Sequence, residues 1–173
     1  MAEYLNRVRC EDCADCAHPL YQRNPEAWLE SQVRTNIREL DSRLQPSPVY
    51  GQVPQFTAGE RDVIDLLGIE SDGRLSVIEL KATEDIHLPM QALDYWMRVR
   101  WHSERGDFGV NGYFRGTEVR RDAPRLLLAA PALEFHPTNE KVLRYFDPGI
   151  QVERVGVGLE WRSQLKVMFR HRS

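Results

Sequence analysis

"VIDLLGIESDGRLSVIELKA", residues 63–82, places two apolar runs on either side of Ser71-Asp72-Gly73, and a turn of that composition between such runs predicts a β-hairpin. The strands are expected over about 62–69 and 74–82. With the turn centred on Asp72, Ile69 faces Leu75, Leu67 faces Val77, Asp65 faces Glu79 and Val63 faces Lys81, all on one face. On the other face Leu66 opposes Ile78 and Ile64 opposes Leu80. Both faces are apolar near the turn, so the hairpin belongs inside the domain, yet one face becomes charged at its far end. Glu79 and Lys81, two residues apart, share that face with Leu75 and Val77 because strand side chains alternate. Two opposed carboxylates repel unless a cation lies between them. Hard divalent ions, bound through carboxylate oxygens, remove that repulsion. Taken alone, Glu79 and Lys81 are equally served by a structural ion pair with Arg61 or Asp62. A second carboxylate at Asp65 favours a cation site, whereas Asp62 has the opposite parity and is the weaker candidate.

The chain around this hairpin is 173 residues long, 42% hydrophobic and 28% charged, a composition that suits one soluble domain with a real core. No apolar run approaches the roughly 20 residues that span a bilayer, and the acidic, cysteine-bearing start does not read as a signal peptide. A cytoplasmic location and no membrane partner are therefore expected. The net charge of −3 excludes a bulk polycation, so any nucleic-acid contact must come from local charge. Two stretches offer it: residues 98–125, with seven arginines, and the tail with Arg162, Lys166, Arg170 and Arg172. An ordinary solvated surface accounts for either patch equally well.

Residues 1–24 read as a polar appendage and 25–173 as the main domain. Leu29, Val33, Ile37, Leu40 and Leu44 recur at helical spacing, predicting a helix from Pro25 to about Leu44 that Pro46 and Pro48 end. An extended piece over 49–56 precedes the hairpin. Pro89 opens a second helix through Ala92, Tyr95 and Val99 toward His102. Residues 106–123 read as a loop or an irregular strand pair. The uninterrupted apolar run 126–130 predicts a central strand buried on both faces. A helix over 138–146 and closing strands near 150–159 and 164–169 complete the order α-β-β-β-α-β, then α-β-β. The fold class expected is α/β, a mixed sheet flanked by helices.

"VIDLLGI" followed by "GRLSVIELKA" resembles the Asp-x(n)-Glu-x-Lys signature of the PD-(D/E)XK nuclease superfamily, with its restriction-endonuclease-like core. The resemblance spans about residues 25–131. Its flanks, "PEAWLESQV" and "LPMQALDYW", are similar to the catalytic domains of archaeal and actinobacterial single-strand and mismatch endonucleases, although Ile64 rather than Pro precedes Asp65. The resemblance implies a Mg²⁺- or Mn²⁺-dependent hydrolase of DNA phosphodiester bonds; no specificity domain is visible, so structure-specific or non-specific cleavage is expected rather than sequence-specific cleavage. Asp65 and Glu79 would bind the metal and Lys81 would position the attacking water and offset phosphate charge. Glu30, on the edge of the first helix's apolar stripe, would extend the metal site, with Glu26 one turn earlier as its rival. Gln91, near the start of the second helix, would hold a phosphate or the water, with Tyr95 one turn along. A solvated helix face accounts for Glu26, Glu30 and Gln91 otherwise. The competing reading is a catalytically inactive module that keeps the fold to bind nucleic acid or to assemble. Duplex cutting by two sites would bring two copies together as a homodimer.

"CEDCADCAH" gathers Cys10, Cys13, Cys16 and His18 within nine residues. The spacing resembles the start of a ferredoxin run, and cysteine with histidine suits zinc, but neither fit is complete. Zn²⁺ in a structural clip is the first expectation, an iron–sulfur cluster the second, and free thiols on a polar segment the alternative. His87, His102, His136 and His171 show no ligand spacing, and the four tryptophans are expected in the core or at an interface.

Overall fold

The computed structural model describes residues 24–51 and 64–172. Among these, the helices are α1 (Pro25–Thr35), α2 (Ile37–Leu40), α3 (Leu88–Arg105), α4 (Asp107–Val110) and α5 (Pro137–Leu143). The strands are β1 (Tyr50–Gly51), β2 (Leu66–Ile69), β3 (Leu75–Leu80), β4 (Arg125–Pro131), β5 (Val152–Val157) and β6 (Val167–Arg172), and they form one sheet in the order β1-β2-β3-β4-β5-β6. β1, β2 and β3 run antiparallel as a meander, β3, β4 and β5 are parallel, and β6 returns antiparallel to β5. The α-β-β-β-α-β order is therefore that of a restriction-endonuclease-like core, with α5, β5 and β6 extending it. No helix among the described residues is long and apolar enough to cross a membrane.

Each parallel link needs a crossover, and α3 and α5 supply the two. Crossovers of one hand that advance in one direction across a sheet cover the same face. Leu88, Ala92, Tyr95 and Val99 of α3, Phe108 of α4 and Leu143 of α5 accordingly pack with Leu75, Val77, Leu126 and Leu128 on one side. Leu29, Val33, Ile37 and Leu40 of α1 and α2 pack with Ile78, Leu80, Leu127 and Ala129 on the other, joined by Trp161 and Leu165. β4 is buried along its whole length between these layers, as its unbroken apolar run requires.

The hairpin has the expected register, with Leu66 opposite Ile78, Leu67 opposite Val77 and Ile69 opposite Leu75. The ladder stops at Leu66, so the expected pair Ile64 and Leu80 does not form. Instead the chain bends at Asp65 and Ile64 joins the α3-side core, while Leu80 stays on the α1 side. The reason is local: the Leu80 N–H, which faces β2, donates to Asp65 Oδ2 at 2.9 Å in place of a backbone carbonyl. Asp62 and Val63 lie outside the described residues, as do Gln52 to Phe56 of the expected extended piece.

Other boundaries differ for physical reasons. The first helix breaks at Asn36, whose side-chain amide donates back to the Gln32 carbonyl at 3.1 Å, and it ends at Asp41, which turns extended, rather than at Leu44. Leu44 still reaches the core, through a bridge with Glu70. The glycine-rich segment 106–123 contains α4 followed by turns rather than a strand pair. It plugs the α3-side core with Phe108 and Phe114, and Tyr50 of β1 packs edge-on against Phe114 while accepting its N–H at 3.1 Å. Of the tryptophans, Trp161 is 1% exposed, whereas Trp101 is 53% exposed under the Arg105 guanidinium.

Candidate active site

β3, β4 and β5 run parallel, so their carboxyl ends share one edge of the sheet, and Glu79 and Lys81 sit where β3 reaches it. Glu79 is 2% exposed, and its Oε2 is buried without an N–H or O–H donor. Burial, followed by the neighbouring Asp65 carboxylate, pushes its pKa up to about 9, with Lys81 opposing. Asp65 is also raised, chiefly by burial, against the Leu80 N–H and Lys81. The two acids are close enough for one to share a proton with the other, and when both are ionised neither can satisfy its neighbour.

The Lys81 ammonium lies 3.9 Å from Glu79 Oε1, 3.8 Å from Glu26 Oε1 on α1 and 3.8 Å from Asp85 Oδ2. These are ion-pair distances longer than a direct hydrogen bond, so one ammonium is shared among carboxylates without being claimed by any. Asp85 is held from both sides: its Oδ1 accepts the His87 N–H at 2.7 Å, and its carbonyl accepts from Asn139 Nδ2 at 3.2 Å. With Asp65 beside Glu79, the carboxylates at this edge outnumber the cations, which favours a proton or a bound cation.

Glu30 points across β1. A Cβ at Gly51 would lie 2.7 Å from Glu30 Oε1, 2.9 Å from Arg34 NH1 and 3.5 Å from the Asp65 carbonyl, so the Glu30 carboxylate and the Arg34 guanidinium lie against the bare backbone of β1. Glu30 ion-pairs with Arg34 at 3.9 Å, and its pKa is raised by burial first and by Asp65 after it. Gln91 is exposed on α3, lining a recess with His87, Met90, Asp94 and Tyr95, and makes no hydrogen bond to the hairpin acids among the described residues. The structure thus brings Asp65, Glu79 and Lys81 together and sets Glu30 nearby. Glu26 stands closer to Lys81 than its role as a rival suggested. Asp85 was not legible, because "ATEDIHL" reads only as a loop and the contact depends on where Asn139 fastens it.

Cys10, Cys13, Cys16 and His18 lie outside the described residues. Among the described residues no three His, Cys, Asp or Glu side chains converge as metal ligands. The donor set that is present, two hard carboxylates with one orphaned oxygen, fits Mg²⁺ or Mn²⁺, which bind through one or two carboxylates and fill the rest of their shell with water and substrate oxygens. Arg125, counted with the basic stretch, does not belong to any contact surface. It is 1% exposed and pairs with Asp41 at 2.8 Å, Glu70 at 2.5 Å and Glu153 at 3.2 Å, at the opposite end of the sheet.

The fold class is that of a restriction-endonuclease-like core, with acids and a lysine at the carboxyl edge of its parallel strands. Among solved structures the chain is similar to a repair endonuclease from Pyrococcus abyssi, at 20% identity and a TM-score of 0.49 over 76% of this chain and 46% of that one. It is also similar to the EndoMS–dsDNA2 complex, at 18% identity and a TM-score of 0.48 over 76% of this chain and 44% of that one. The chain thus spans less than half the length of either. No family model matches the chain, and no curated protein matches it.

Proposed function

We propose that the protein is a divalent-metal-dependent nuclease that hydrolyses DNA phosphodiester bonds, acting by structure or without sequence preference. The observation that carries this reading is Glu79: a buried carboxyl with an orphaned oxygen, set beside Asp65 and within ion-pair reach of Lys81. A buried carboxyl with an unsatisfied oxygen beside a second acid costs the fold stability, and a bound divalent ion at a metal-assisted hydrolase site offsets that cost. Asp65 and Glu79 are the residues that would hold Mg²⁺ or Mn²⁺, with Glu30 close enough to reach through water. When bound, the ion supplies Lewis acidity at the phosphate and lowers the pKa of water.

The chain's own parts follow from their positions. The Leu80 N–H fixes Asp65 Oδ2 and leaves the other oxygen of that carboxylate for the site. Lys81, anchored loosely by Glu26 and Asp85, can turn its ammonium toward a phosphate oxygen and steady the charge that builds in the transition state. The same ammonium can orient the attacking water.

The test is cleavage of labelled single-stranded, duplex and branched DNA with Mg²⁺ or Mn²⁺ by the full chain. Metal-dependent cutting that falls about 10²-fold or more in both Glu79→Ala and Lys81→Ala is the expected result. A folded protein that binds DNA and cuts none of the three, or cutting that survives both substitutions, would assign the fold to a binding module.

A further inference from the structure

The loop after β5 carries a cation for which the catalytic chemistry has no use. Trp161, buried in that loop, meets Trp28 of α1 edge-on with ring centroids 5.5 Å apart. The Arg162 guanidinium lies over both rings, 4.5 Å from the Trp161 centroid and 5.7 Å from that of Trp28. Arg162 is exposed, and among the described residues no carboxylate pairs with it. Lys166, four residues on, is exposed as well. By contrast Arg34, Arg98, Arg100 and Arg120 each have an acidic partner.

The loop's position gives that cation a meaning. Because β3, β4 and β5 are parallel, the loop leaves the same edge of the sheet at which Glu79 and Lys81 sit. α1 spans the two places: Glu26 on one flank reaches Lys81, and Trp28 on the other flank reaches Trp161. β3 and β5 are two strand spacings apart, about 10 Å. A nucleic-acid strand that crosses this edge from β3 toward β5 therefore carries a further phosphate past the loop.

We propose that Arg162, seated on Trp161 and Trp28, contacts a backbone phosphate of the bound nucleic-acid strand other than the one that lies at Glu79. The inference rests on reading this edge as a nucleic-acid site. A guanidinium held against two indole rings has less conformational freedom left to lose, which suits forked pairing with a phosphate.

The test uses the full chain carrying Glu79→Gln, with anisotropy of labelled single-stranded and duplex oligonucleotides read over a range of salt. Arg162→Ala is expected to weaken binding about 3- to 10-fold and to lower the slope of log K against log salt by about 0.7–0.9. Arg162→Lys restores the slope but not the full affinity, and Arg38→Ala, exposed beside Asp41 at the end of the sheet away from Glu79, leaves both unchanged. In an otherwise unaltered chain Arg162→Ala raises KM more than it lowers kcat. An Arg162→Ala protein with the parent's affinity and slope overturns the proposal, whether or not the protein cuts. Absence of binding to any oligonucleotide by the folded parent overturns it together with the nuclease reading. Arg162-dependent binding by a protein that cuts nothing sustains the contact and removes only the nuclease reading.

Discussion

Glu79 carries opposite consequences for stability and for chemistry. Its carboxyl has an ordinary pKa of 4.5 in the unfolded chain and one of about 9 in the fold. Between those values the unfolded chain has released a proton that the folded chain retains, so the contribution to stability is complete below about 4.5 and declines as pH rises through 9. Glu79→Gln, which keeps the shape and removes the ionisation, should therefore stabilise the metal-free protein at pH 8 by about 2–4 kcal/mol. Urea unfolding at pH 5 and pH 8 checks this: the gain should be small at pH 5 and grow toward pH 8. Equal stability of the two proteins at both pH values would show that Glu79 ionises freely in the fold. Added Mg²⁺ should raise the midpoint of the parent and not that of Glu79→Gln.

At the scale of elements, the hairpin was the most legible part of the chain because short-range rules set it. Alternation placed Glu79 and Lys81, and Ser71-Asp72-Gly73 set the register that the strands adopt. Gly73 has φ of +89°, and any Cβ there would run into the Glu118 carbonyl oxygen, so the turn is closed both by conformation and by a neighbouring segment. Gly73→Ala should lower stability by about 1–3 kcal/mol, read as a drop in Tm with the same folded-state spectrum. A Tm within a degree of the parent would mean that the segment around Glu118 yields freely. The bend at Asp65 was not legible, because a side chain replacing a carbonyl in the ladder leaves no trace in hydrophobic alternation. Nor was the break at Asn36, where the periodic apolar residues continued across a helix end at which the Asn36 amide turns back to Gln32.

Across the whole molecule, the end of the sheet away from the candidate site is held by a buried ion network. Arg125 sits among Asp41, Glu70 and Glu153, and Arg43 and Arg170 close the cluster from outside. Burial alone would raise the Asp41 carboxyl, yet hydrogen bonds from Arg43 and Arg125 hold it well below the usual carboxylate range. Glu153 is likewise lowered against its burial, by Arg170 and Arg125. A lowered folded pKa contributes stability that is present above the ordinary carboxylate range and is lost as pH falls through the depressed value. Arg125→Met should therefore destabilise the protein by about 3–5 kcal/mol at neutral pH, since it strands Glu70 in the core and takes one partner from Asp41 and Glu153, and should flatten the acid limb of the stability profile. Denaturant midpoints for both proteins from pH 7 down to pH 3 test this. Parallel acid limbs would place the acid sensitivity elsewhere.

The sequence by itself determined the element order, the buried central strand, the hairpin register and the neighbourhood of Asp65, Glu79 and Lys81. Each follows from interactions within a few residues or from patterning that a strand or helix must obey. Only the tertiary structure decided that Arg125 leaves the basic surface for the core, that Glu26 and Asp85 share Lys81, and that Glu30 lies against Gly51. It likewise set Arg162 on Trp28 across 134 positions of chain. Charges act over several ångströms whatever their separation in sequence, so their partners are settled when the sheet and helices pack and bring remote side chains to one edge.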